Sequence, residues 1–169
     1  CILANYPTGL YKNAGNSTFL NLSSQIDSLT NYASWGCAIG NMNNDALLDL
    51  FYAHAAGFHP NAPARPSRFI KSNGTGFTGT ALSGYTLTDS LKPFTVPYWS
   101  DYDMDGDMDL FVASGPGGTP GPDFCYRNMK IETGTDTMYR MTNEFFSTQL
   151  QDGQCYNFID YDNDGDLDL

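Results

Sequence analysis

The nonapeptide Asp101-Tyr-Asp-Met-Asp-Gly-Asp-Met-Asp109 carries carboxylates at alternating positions and a glycine at the sixth. Like charges at this density repel, and Asp and Gly form neither helix nor strand well. A hard cation held by oxygen ligands offsets such repulsion. The pattern returns as Asp160-Tyr-Asp-Asn-Asp-Gly-Asp-Leu-Asp168, and a weaker copy reads Asn41-Met-Asn-Asn-Asp-Ala-Leu-Leu-Asp49.

Charge follows these three loops. The formal net charge is −11, and 12 of the 19 acidic residues lie in the loops. The remaining 7 acids face 8 Lys and Arg, so the rest of the chain is almost neutral. This is local charge with a local purpose, not a generally acidic surface. No basic stripe exists, so nucleic acid is excluded as a partner class. No apolar run reaches the length of a membrane span.

The loops begin at 41, 101 and 160, so the chain repeats at spacings of 60 and 59 residues. Before each loop lies a short run of aromatic or small residues: Trp35 to Gly40, Val96 to Ser100 and Cys155 to Ile159. After the first two come Leu48-Asp-Leu-Phe-Tyr-Ala53 and Met108-Asp-Leu-Phe-Val-Ala113. Each unit reads as a hairpin with the acidic loop at its tip. Ser67 to Phe77 resembles Gly9 to Phe19, and Phe124 to Asn128 is the same element before a longer insertion, Met129 to Asp136. Four short strands per unit, rich in Tyr and Phe and without helical periodicity, predict an all-β array of propeller-type blades. The expected division is 35–94 and 95–154 as blades, with 1–34 and 155–169 as the two parts of a split one. Cys1-Ile-Leu-Ala4 reads as the continuation that the loop at 160 lacks, which makes the expected array open, or part of a larger or oligomeric propeller. Gly57 to Pro66 and Gly115 to Pro122 are expected surface loops.

In a D-x-D-x-D-G-x-x-D loop, side chains at positions 1, 3 and 5 turn inward, position 7 offers its carbonyl, and position 9 closes the cage. The expected ligands are Asp101, Asp103, Asp105, the carbonyl of Asp107, and Asp109 in the middle loop. In the last loop they are Asp160, Asp162, Asp164, the carbonyl of Asp166, and Asp168. The first loop keeps oxygens at Asn41, Asn43, Asp45, the carbonyl of Leu47, and Asp49, but has two carboxylates and Ala46 in place of glycine. Fewer charges make it the weakest of three Ca²⁺ sites. An EF-hand needs a bidentate acid at position 12, where this chain has Val112 or Tyr52.

The runs Trp99 to Val112 and Phe158 to Leu169 resemble FG-GAP/VCBS-type repeats, the calcium-binding β-propeller family that includes the integrin α-subunit head. The resemblance implies four-stranded blades with calcium in the hairpin between the first two strands.

Catalysis has little support: His54 and His59 stand without a nucleophile motif. Trp35 and Trp99 flank the loops and are expected to pack in the core. Cys1, Cys37, Cys125 and Cys155 lack zinc spacing and allow two disulfides. Asn16, Asn21 and Asn73 head glycosylation sequons. These features favour a secreted or cell-surface protein. The expected function is a calcium-binding structural subunit or adhesion module. Its partners would be other copies of itself, joined head to tail by strand complementation, or the rest of a longer repeat chain. The alternative is a monomeric carbohydrate- or protein-recognition module within a longer closed propeller.

Overall fold

A computed structural model describes residues 9–26, 34–54, 67–80, 94–114, 122–142 and 155–169. The described chain is almost entirely β. Strands β1 (Tyr11–Gly15) and β2 (Thr18–Asn21) form a hairpin. A four-stranded sheet follows, made of β3 (Ser34–Gly40), β4 (Asp49–His54), β5 (Arg68–Ser72) and β6 (Phe77–Thr80). A second comprises β7 (Phe94–Ser100), β8 (Asp109–Ser114), β9 (Phe124–Asn128) and β10 (Met138–Met141). Both are antiparallel with neighbours in chain order. The insertion after β9 contains one helical turn, α1 (Lys130–Thr133), which the sequence pattern did not announce. In the last unit, Ile159 and Asp168 form a single antiparallel bridge.

Alternation along the strands makes each four-stranded sheet apolar on both faces. Phe51, Ala53 and Phe69 of the first sheet pack with Leu110, Val112, Phe124, Tyr126 and Met138 of the second. The far face of the second sheet sets Phe111, Cys125 and Met141 against Phe158 of the last unit. Leu50, Tyr52 and Ile70 occupy the opposite face of the first sheet. Burial on both faces removes far more apolar surface from water than a one-sided sheet of this size would.

Small residues on β3 allow the two sheets to approach. A Cβ on Gly36 would lie 2.7 Å from the Thr95 carbonyl oxygen and 2.8 Å from Pro97 Cδ. One on Gly40 would lie 3.0 Å from Trp99 Cδ1. Trp99 thus packs into the shared core, with its ring 6.4 Å from Phe51 and 5.9 Å from Phe69. Trp35 departs from the core role expected of it and is 47% exposed. The reason is the period of two: turning Gly36, Ala38 and Gly40 toward the second sheet sends Trp35 the other way.

The cysteine count allows two disulfides, but among the described residues no disulfide joins Cys37, Cys125 and Cys155. Cys37 packs on the outer face of the first sheet and Cys125 on the far face of the second, with both sheets between them. Cys1, His59 and most of the two expected surface loops lie outside the described residues, as does the His54 side chain.

Candidate metal centre

All three nonapeptides fold the same way. Positions 4 and 6 adopt positive φ in each: Asn44 at 59° and Ala46 at 66°, Met104 at 56° and Gly106 at 99°, Asn163 at 61° and Gly165 at 98°. Two left-handed residues one apart curl the backbone, so carboxylates spaced along the sequence point toward one centre. Glycine at position 6 accepts that conformation without the steric cost a Cβ brings.

The carboxylates also cap the loop that carries them. Asp101 Oδ2 accepts from the Gly106 N–H at 3.1 Å, and Asp105 Oδ1 from the Asp107 N–H at 3.0 Å. The last loop repeats this: Gly165 N–H to Asp160 Oδ2 at 3.1 Å, and Asp166 N–H to Asp164 Oδ1 at 3.1 Å. The ninth residue closes each ring by accepting from the second, Tyr102 to Asp109 at 3.3 Å and Tyr161 to Asp168 at 2.9 Å.

These bonds leave oxygens over. In the middle loop, Asp101 Oδ1, Asp103 Oδ1 and Asp107 Oδ1 are buried from water with no hydrogen-bond donor. Buried acceptors without donors are costly, and carboxylate oxygens converging in this state suit a cation. Carboxylate oxygens of Asp101, Asp103 and Asp109 lie within 4.8 Å of one another, as do those of Asp160, Asp162 and Asp168. A third such group joins Asp103 and Asp105 to Glu132 of α1.

The remaining expected residues behave differently. The Asp107 side chain is buried and turned to α1, where its Oδ2 accepts from the Ile131 N–H at 3.0 Å. Asp164 and Asp166 lie outside the trio of the last loop, and Asp166 is exposed. In the first loop the Asn43 amide donates to Asp45 Oδ2 at 2.9 Å, and the Leu47 N–H donates to Asp45 Oδ1 at 2.9 Å. Both oxygens of Asp45 therefore have donors of their own. The Asp45 N–H is held by Asn41 Oδ1 at 3.1 Å, so amide chemistry closes this loop from within. Asp49, the ninth residue, is buried and accepts from the Ser72 N–H at 2.8 Å.

Electrostatics match the geometry. Burial pushes the Asp109 carboxyl up to about 8, with repulsion from Asp103 and Asp107 adding to it, against hydrogen bonds from Asn128 and Tyr102. Burial and the neighbouring Asp105 likewise raise Asp103 in spite of Arg127. Asp49 and Asp107 are also held above the ordinary carboxylate range, chiefly by burial. Each shift records charge gathered where water cannot stabilise it.

Two residues of the centre escaped the sequence reading. Glu132 and Arg127 come from α1 and β9, and only the folding of the insertion after β9 brings them to the loop. Compared with known proteins, the chain matches no family model and no curated protein.

Proposed function

We propose that this chain is an extracellular calcium-binding module of β-propeller-type repeats, with blades at 35–94 and 95–154, in which Ca²⁺ braces the hairpin tips of a structural or adhesion protein. The observation that carries this reading is the gathering of Asp101, Asp103 and Asp109 carboxylate oxygens within 4.8 Å of one another, with Asp101 Oδ1 and Asp103 Oδ1 buried and without donors. Asp101, Asp103, Asp105 and Asp109 would hold the ion in the middle loop, and Asp160, Asp162 and Asp168 in the last. All-oxygen, carboxylate-rich ligation selects a hard cation, and an irregular cage of flexible loop groups suits Ca²⁺ better than the strict octahedron of Mg²⁺. The bound ion supplies positive charge that lets the acids ionise inside the fold. The protein supplies a backbone already curled to receive it.

Support for the repeat reading comes from the equivalence of the two sheets. Each has four strands in chain order, an acidic or amide-rich loop between its first two, and a buried acid after that loop bonded to its third strand. Calorimetric titration of the chelator-treated protein tests the proposal. Uptake of Ca²⁺ with a rise in thermal stability is expected. A melting temperature equal in calcium and in EGTA would sink it.

A further inference from the structure

Arg127 stands well outside the nonapeptide in sequence and against it in space. Its Nη2 lies 2.6 Å from Asp103 Oδ2, 3.5 Å from Asp105 Oδ2 and 2.6 Å from Glu132 Oε1. One guanidinium thus occupies the outer group of three carboxylates, which shares Asp103 with the inner group of Asp101 and Asp109. The sharing divides Asp103: Oδ2 is committed to Arg127, while Oδ1 is buried and without a donor. Among the described residues, no Lys or Arg pairs with the carboxylates of 160–168. In the first unit, the residue preceding the β5 donor to Asp49 is Lys71, and its Nζ reaches Asp136 at 2.6 Å.

We infer that Arg127 is a positioning and specificity-determining residue of the middle cation site, a tethered monovalent cation that fixes Asp103 with Oδ1 available and trims the loop's charge to suit a divalent ion. The inference rests on the cation-site reading given above. Its physical content is that a fixed positive charge repels an incoming ion in proportion to that ion's charge. With Arg127 in place, the penalty on a trivalent ion exceeds that on a divalent one. Guanidinium geometry adds the second effect, because its planar fork holds carboxylates in fixed directions where an ammonium would not.

The test uses the full chain with its last loop silenced by Asp160→Asn and Asp162→Asn, and a companion with the middle loop silenced by Asp101→Asn and Asp103→Asn. Tyr102 and Tyr161 sit beside the first ligand of their loops and can sensitise terbium luminescence, so Tb³⁺ is titrated against Ca²⁺. Arg127→Gln should raise the preference of the middle loop for Tb³⁺ over Ca²⁺ by about fivefold or more. Arg127→Lys, which keeps the charge, should stay within about twofold of the parent. Glu132→Gln removes a negative charge from an exposed helical turn and should move the preference the opposite way, which gives a result even if Arg127→Gln does not fold. An unchanged preference in Arg127→Gln, or in Glu132→Gln, overturns the inference. If neither loop of the parent chains binds either ion, it is the cation-site reading itself that fails.

Discussion

The Asn128 backbone N–H donates to Asp109 Oδ1 at 2.8 Å, which ties the closing acid of the middle loop to the third strand of its sheet. The buried side chain of Asn128 donates onward to the Met42 carbonyl at 2.8 Å and the Met108 carbonyl at 3.2 Å. A single residue therefore joins the middle loop, the first loop and β9. Ser72 and Asp49 repeat the backbone half of this arrangement at 2.8 Å, without the amide that bridges units.

Asn128→Ala removes the donor from the buried Met42 carbonyl and the part-buried Met108 carbonyl and should cost about 2 kcal/mol of folding stability. Urea denaturation with calcium present measures it. Ser72→Ala keeps the backbone donor and should change stability by less than about 0.5 kcal/mol. Equal losses for the two variants would show that the bridging amide contributes nothing special.

Asp109 sets a pH dependence of the metal-free protein. Its carboxyl is raised to about 8 in the fold, whereas in the unfolded chain it titrates near the ordinary carboxylate value of 3.8. Between those values the folded protein holds a proton that the unfolded chain has released. Stability contributed by this group therefore falls as pH rises through the window. In EGTA, thermal unfolding should show wild type losing stability from pH 5 to pH 8 relative to Asp109→Asn, which has no such group. Calcium should reverse the trend, since it favours the ionised form. A wild type that gains on Asp109→Asn over this range in EGTA would contradict the assignment.

Gly36 governs how closely the sheets meet. A side chain there would strike the Thr95 backbone, which cannot swing aside as a flexible side chain would. Gly36→Val should destabilise by about 1–3 kcal/mol, the usual range for overpacking. Gly74 has only Leu47 methyl groups near its Cβ position, at 3.8 and 3.9 Å, but its φ is +83°. Gly74→Ala should therefore cost about 1 kcal/mol, through backbone strain without a clash. Denaturation midpoints measure both losses, and Gly36→Ala should recover only part of the Gly36→Val loss, because its Cβ still meets the Thr95 carbonyl oxygen.

The hairpins at 34–54 and 94–114 were legible because their signals are local: an apolar run, a loop with Asn or Asp at alternating positions, and a second apolar run. The grouping of Asp101, Asp103 and Asp109 follows from the same local spacing. Arg127 and Glu132 were not legible, since their approach to Asp103 depends on how β9 and α1 pack beside the loop. Trp35 shows the same limit from the other side. Like Trp99 it lies on the strand before a loop, but six residues ahead of that loop where Trp99 is two, and the glycines on its strand decide which face it takes.

The first loop offers the sharpest separation of backbone shape from ligand charge. Its backbone already curls as the others do, with Ala46 at φ 66° where they place glycine. Ala46→Gly relieves that strain and should stabilise the protein by about 1 kcal/mol, seen as a higher denaturation midpoint. It adds no carboxylate, so the number of bound ions should not change. Adding Asn41→Asp and Asn43→Asp supplies the missing charges and abolishes the 2.9 Å amide bond through which Asn43 occupies Asp45. The triple variant should then take up one more calcium per chain than the parent, counted by metal analysis after equilibrium dialysis. An unchanged count would mean that curling the backbone and supplying acids does not make a site here. The ion would then depend on groups beyond the loop, as the Arg127 and Glu132 contacts of the middle site would lead one to expect.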